Sequence, residues 1–255
     1  MFAQAKAVLF GDRGPLAPKG PTFRELTVQA LSSIEHGYDL LAPKFDVTPF
    51  RTPDRLLDAV TGTLRPLGPF TAGVDVCCGT GAGMRVLRPL CTERITGVDF
   101  SAGMLAAARQ SDAGAPPPSA EWVRADARAL PFDEAFDLAV SFGAFGHFLP
   151  AERPGLFAGV HRALRPGGVF AFPVGAPQTL RDPLYWTLLG FDAVMRVRNL
   201  VWRPPFVMYY RTFPLGGVRE DLTGAGFSVR LLPLEEFGRR ADGSPNWRLV
   251  VARKE

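Results

Sequence analysis

Asp75 sits inside one apolar run, in "GVDVCCGTGAGM", while Asp99 and Asp126 each close another, in "ITGVDFS" and "VRADARALPF". Behind Asp75 the glycines Gly79, Gly81 and Gly83 alternate with other residues. A glycine-rich turn leading from strand to helix lets a ligand approach the backbone with no side chain between them. A carboxylate at the end of the next strand can accept both hydroxyls of a ribose at once. Asp126, ending a third strand, falls beside Asp99 at the carboxyl edge of the same sheet, near the switch point where such folds bind ligands. For either aspartate alone, capping a helix N-terminus is the competing role.

The remaining chemistry-bearing residues are few. Cys77, Cys78 and Cys91 form no CxxC pair and no even-numbered framework, so a reducing compartment is expected and Cys77 reads as a packing residue. His36, His147 and His161 are scattered without zinc spacing, and no metal is expected. His147, after the fourth apolar run, is the candidate catalytic base, with a structural histidine as the alternative. Tyr38 and His36 follow the first predicted helix, either as core or surface side chains or as residues able to close over a ligand.

These residues need a scaffold. Short apolar runs at Val74–Cys77, Ile95–Asp99, Trp122–Ala125, Phe136–Ser141 and Val169–Val174 alternate with helical stretches near Ala82–Leu90, Ala102–Arg109 and Pro154–Leu164. That alternation predicts βαβ units and a parallel sheet. Ser228–Pro233 and Trp247–Ala252 follow one another without a helix and predict an antiparallel pair at the sheet edge. Upstream, Phe23, Leu26, Ala30, Leu31 and Ile34 share one helical face, with Gly37 as the stop. A second helix is predicted with Thr52 as N-cap and Pro53 at its first position. Residues 1–70 are therefore expected to form a helical cap and 71–255 the α/β domain, with 177–214 inserted as a lid or acceptor wall.

The blocks "VDVCCGTGAG", "GVDFSAGML", "ADARALPFDEAFDLAVS" and "HRALRPGGVFAF", taken in that order, resemble the class I S-adenosylmethionine-dependent methyltransferases, in their small-molecule branch. The resemblance spans about Phe70 to Val251. It implies a doubly wound, mostly parallel, seven-stranded Rossmann-like sheet with an antiparallel edge strand. It implies S-adenosyl-L-methionine as cofactor, with Asp75 and the turn Gly79, Gly81, Gly83 around the methionine end. Asp99 would take the ribose and Asp126 the adenine amino group, with Phe100, Met104 and Ala127 lining the adenine and Tyr38 closing over it. The chain departs from the family pattern D-x-G-C-G-T-G at Cys77, where glycine is usual.

Two other functions stay open: a cofactor-binding protein without methyl transfer, and an NAD-dependent oxidoreductase. The second needs G-x-G-x-x-G, and Met84 stands where its third glycine belongs. The Asn/Asp-Pro-Pro-aromatic run of amino-group methylases of nucleic acid is replaced by "SFGAFGHF". The net charge of +4 is also too small for a dedicated nucleic-acid binder. A small-molecule acceptor, aromatic or anionic, is expected from the insertion, which holds Tyr185, Trp186, Trp202, Phe206, Tyr209 and Tyr210 with five arginines. Contact of those arginines with an anionic membrane surface is the lesser alternative, and an amphipathic helix packing its rings on the core is the plain structural one. No run is long enough to span a bilayer and the first residues lack a signal peptide's apolar core, so a cytoplasmic location is expected.

Overall fold

Strands β1 (Phe70–Val76), β2 (Cys91–Asp99), β3 (Ser119–Arg124), β4 (Phe136–Val140) and β5 (Leu164–Gly175) run parallel; β6 (Phe227–Pro233) and β7 (Trp247–Lys254) complete one sheet in the order β3-β2-β1-β4-β5-β7-β6. β7 is antiparallel to both of its neighbours, as the paired runs near the C-terminus predict. This is a computed structural model, and it describes residues 21–255 apart from 23, 24, 26, 27, 30, 49, 181 and 210–212. The expected helix positions Phe23, Leu26 and Ala30, the first 20 residues, and Arg181, Tyr210 and Arg211 of the insertion lie outside the described residues.

Parallel strands buried on both faces carry apolar residues on both, and the helices divide accordingly. Helices α1 (Ile34–Leu41), α2 (Asp54–Leu64), α3 (Met84–Leu87), α4 (Ala102–Ser111), α5 (Arg153–Ala163), α6 (Pro183–Val201) and α7 (Leu215–Gly224) follow in chain order. On one face, Leu56, Leu57 and Val60 of α2 and Val86 and Leu87 of α3 pack on Ile95, Leu138 and Val140. On the other, Phe157 and Val160 of α5 and Val218 and Leu222 of α7 pack on Val74, Val76 and Phe170. Each such side chain contributes about 1.5–3 kcal/mol by burial. One of the two helices assigned to the N-terminal cap, α2, thus forms part of the core beside the sheet.

Three local expectations are corrected. Gly37 does not end a helix: α1 begins at Ile34, capped by Ser33, whose hydroxyl accepts from the His36 backbone, and Gly37 lies buried inside it. A Cβ there would meet the Phe206 ring at 2.8 Å, so close packing is the reason for glycine. Pro53, not Thr52, is the N-cap of α2, in extended conformation with no side-chain cap bond. The helix expected over Ala82–Leu90 is one turn, because Gly79 and Gly81 hold positive φ and keep the chain in a turn up to Gly83.

β1 lies between β2 and β4, so the chain's winding reverses there and the carboxyl ends of these strands open a crevice. The loop after β1, the end of β2 and the loop after β4 meet at that edge.

Candidate active site

After β1 the backbone enters the left-handed region at Cys77 (φ 60°), then at Gly79 (53°) and Gly81 (93°). For a residue with a Cβ this costs about 1–2 kcal/mol, which accounts for the usual glycine at the position Cys77 holds. The Cys77 side chain packs against the core, and burial, with Asp99 and Asp75 near by, pushes its thiol well above the ordinary range. It is a protonated packing residue, as the sequence reading has it.

The turn folds back over Asp75. Gly83 donates its backbone N–H to Asp75 Oδ2 at 3.1 Å, and a Cβ on Gly83 would overlap that carboxylate. Asp75 is buried, and its Oδ1 has no hydrogen-bond partner. Burial raises its pKa well above the ordinary range; the Gly83 bond opposes this and the nearby Asp99 adds to it. Asp99 is buried too. Its Oδ2 accepts from Gly79 N at 2.9 Å and its Oδ1 from Ser101 N at 2.9 Å. Burial raises the Asp99 pKa, those backbone bonds oppose the rise, and Asp39 adds to it.

Asp39, in α1, was not singled out in the sequence. Its Oδ1 accepts from Ser101 Oγ at 2.6 Å and from Gly103 N at 2.8 Å, so α1 is fixed to the N-terminus of α4. Asp46, a few residues on, accepts from Thr80 Oγ1 at 2.6 Å, tying the same segment to the glycine turn. Ser101 had a readable signal, a serine directly before a helical stretch, and it caps α4 through Met104 N. Asp39 and Asp46 had none, since their partners are remote in the chain.

Asp126 fulfils its competing role: it caps a 3-10 turn, Ala127–Ala129, and holds Arg128 by three side-chain contacts, which keeps its carboxyl below the ordinary range. It is exposed at the mouth of the crevice beside half-buried Phe100, whose preceding residue Asp99 ends β2. Met104 and Ala127 are buried.

Tyr38 and His147, separated by 109 residues, meet: the hydroxyl lies 2.7 Å from Nε2. His147 Nδ1 lies 2.7 Å from the Val207 carbonyl, which can only accept, so the proton of the neutral ring sits on Nδ1 and Nε2 accepts from Tyr38. Burial lowers the His147 pKa, partly offset by the Val207 bond. The neutral ring is therefore the form at pH 7. Tyr209 N donates to Gly146 O at 2.8 Å, and Phe206 stacks on Tyr38, so the return from α6 covers this pair. His36, by contrast, is exposed.

The crevice is carboxylate-rich, with Asp39, Asp75 and Asp99 near one another. Asp75 already takes the N–H at the start of α3 that a dinucleotide pyrophosphate would use, so a pyrophosphate there would lack that donor. A ligand with an ammonium or sulfonium fits, because it offers the orphaned Oδ1 a donor or a positive charge. Among the described residues no cluster of His, Cys, Asp and Glu is suited to a metal ion.

Comparison with known proteins agrees with this chemistry. Residues 74–168 match the model of a methyltransferase domain. A 2-phytyl-1,4-naphtoquinone methyltransferase of Nostoc sp. is 36% identical over 97 residues, 36% of this chain and 42% of that protein. The chain spans less than half the length of the first such relatives, 42% to 47%. An S-adenosylmethionine-dependent methyltransferase of Mesorhizobium loti superposes with a TM-score of 0.53 at 25% identity, over 77% of this chain and 96% of that one. The fold is shared as well with the magnesium protoporphyrin IX methyltransferase of Synechocystis PCC 6803 with bound SAH, at a TM-score of 0.53 and 18% identity over 79% and 83% of the two chains. The glycine turn, Asp75 and Asp99 thus lie in a segment similar to the methyltransferase domain, within a fold that S-adenosylmethionine-dependent methyltransferases share.

Proposed function

We propose that this protein transfers a methyl group from S-adenosylmethionine to a small-molecule acceptor by in-line displacement. The observation that carries the reading is the buried, half-partnered Asp75 carboxylate under the glycine turn, next to Asp99. When bound, the cofactor supplies an activated methyl on a sulfonium, so the protein chiefly aligns groups. Asp75 and the turn Gly79 to Gly83 hold the methionine end and Asp99 the ribose. Phe100, Met104, Ala127 and Asp126 surround the adenine, the last at the cost of loosening its hold on Arg128.

Tyr38 and His147 handle the proton of an oxygen or nitrogen acceptor. The acceptor's proton passes to the Tyr38 oxygen as the Tyr38 proton passes to His147 Nε2, and the imidazolium so formed keeps its Nδ1–H on Val207 O. His147 is then the base and Tyr38 its link to the acceptor, a second task beside closing over the cofactor. The segment 34–47 serves as the cap, with α2 behind it in the core, and the insertion as the acceptor wall. Aromatic side chains there, Phe206 and Tyr209 beside Tyr38, suit an acceptor with a ring, in keeping with the naphtoquinone enzyme among the relatives.

Calorimetric titration with S-adenosylmethionine and with NAD, followed by an assay for S-adenosylhomocysteine formed in the presence of metabolite extract, tests the reading. Binding of NAD in place of S-adenosylmethionine refutes it. Binding without turnover on any extract leaves the non-catalytic alternative.

A further inference from the structure

Helix α6 turns its apolar residues outward. Trp186, Val194, Val197, Leu200 and Val201 are 57% to 80% exposed and, at helical spacing, fall on one face; exposed Trp202 follows directly after the helix. Met195, on the opposite side, is buried against Phe206 and Tyr209, so the helix already has a core-facing side. The outward stripe is a second apolar face, left exposed by the described residues. Exposed Leu31 and Val28 adjoin it, because Trp202 Nε1 donates to Leu31 O at 3.0 Å.

We infer that this face docks on an anionic phospholipid bilayer, with α6 lying in the interface. Three features favour that occupant. Both indole N–H groups are satisfied within the protein, Trp186 on Leu180 O and Trp202 on Leu31 O, each at 3.0 Å, so the rings can enter an apolar phase without stranding a donor. The charges at the border are guanidinium groups, exposed Arg203 and exposed Arg196, the latter lying over the Tyr209 ring at 4.6 Å, and guanidinium matches lipid phosphate. The one acid between residues 183 and 203, Asp192, is buried, so a second copy of the chain docked on this stripe offers those arginines no carboxylate from its own helix. No helix among the described residues is long and apolar enough to cross a membrane, which agrees with α6 lying on the surface.

The underside of α6 and its return segment cover Tyr38 and His147, so a docked face places the roof of the crevice on the lipid. Resting on the methyl-transfer reading, the acceptor class follows: an amphiphile that partitions into bilayers and reaches Tyr38 from the lipid side.

The test is co-sedimentation of the full chain with vesicles of phosphatidylglycerol in phosphatidylcholine, and with phosphatidylcholine alone. The wild type is expected to bind the anionic vesicles at least tenfold more tightly, with binding weakened by salt. Val197→Glu combined with Leu200→Glu, and separately Arg203→Glu, should each reduce binding about tenfold or more while leaving the melting temperature and S-adenosylmethionine titration unchanged. Equal binding to both kinds of vesicle, no binding to either, or unchanged binding by the double variant overturns the inference. So does a dimer in solution that the double variant dissociates. Loss of S-adenosylmethionine binding in the wild type refutes the methyl-transfer reading alone, and vesicle binding is then judged by itself.

Discussion

Asp75→Asn should make the free protein less sensitive to alkali while weakening its hold on the cofactor. In the folded chain burial raises the Asp75 pKa well above the ordinary carboxylate value of 3.8. The folded state therefore binds a proton that the unfolded chain has released, and the stability this gives is full below about pH 4 and lost as pH rises toward the folded pKa. One proton's difference is worth about 1.4 kcal/mol per pH unit. Between pH 5 and 7 the stability of Asp75→Asn relative to wild type should rise by up to about 2.7 kcal/mol, while Asp75 keeps its proton in the folded state. Asp99, His147 and His161 titrate in both proteins and largely cancel in the difference. Urea unfolding at pH 5, 6, 7 and 8, with equal m-values as the control, measures the difference directly. Saturating S-adenosylmethionine should flatten the wild-type profile, since a positive group at Oδ1 restores the preference for carboxylate. A difference that stays level from pH 5 to 8 refutes the argument that Asp75 is a buried, uncompensated acid.

Gly83→Ala places a methyl against the Asp75 carboxylate at an ordinary φ, so it tests crowding without backbone strain; a loss of about 1–3 kcal/mol in thermal unfolding, with weaker cofactor binding, is expected. Asp99→Ala should lower cofactor affinity more than tenfold and, because it also frees Gly79 N and Ser101 N, lower the melting temperature of the free protein; calorimetry and thermal scans measure both. Tyr38→Phe should cut kcat by about 10²–10⁴-fold for an oxygen or nitrogen acceptor, leave S-adenosylmethionine binding within about threefold, and abolish the acidic limb of the kcat profile that reports His147. Trp202→Ala removes only an exposed ring and its bond to Leu31, whereas Tyr209→Ala opens a buried site and frees the Asn199 amide that donates to its hydroxyl; the second should cost more stability than the first in thermal scans.

The sheet was legible because its strands are buried on both faces and so read as unbroken apolar runs; Ile95–Asp99 and Phe136–Ser141 lie within about a residue of their observed C-terminal ends. Asp75, Asp99 and the glycines were legible because a chain reversal of this kind needs them at fixed offsets along one segment. The turn's conformation hid the true start of α3. The partnership of Tyr38 with His147, and of Asp39 with Ser101, depends on how α1 comes to lie over α4, and no local pattern encodes a contact across such distances in sequence. The outward apolar stripe of α6 was not legible for a related reason: aromatic and aliphatic residues in a helix read alike whether they face inward or out.

The two aspartates of the 34–47 segment, Asp39 on Ser101 and Gly103 and Asp46 on Thr80, fasten it across the end of β2 at points on either side of Asp99. Exchange of a molecule resting on Asp99 then requires those fastenings to open, while a partner entering from the α6 side does not. Turnover would be sequential, cofactor first in and its product last out. On the proposed methyl transfer, product inhibition by S-adenosylhomocysteine should then be competitive with the cofactor and not with the acceptor.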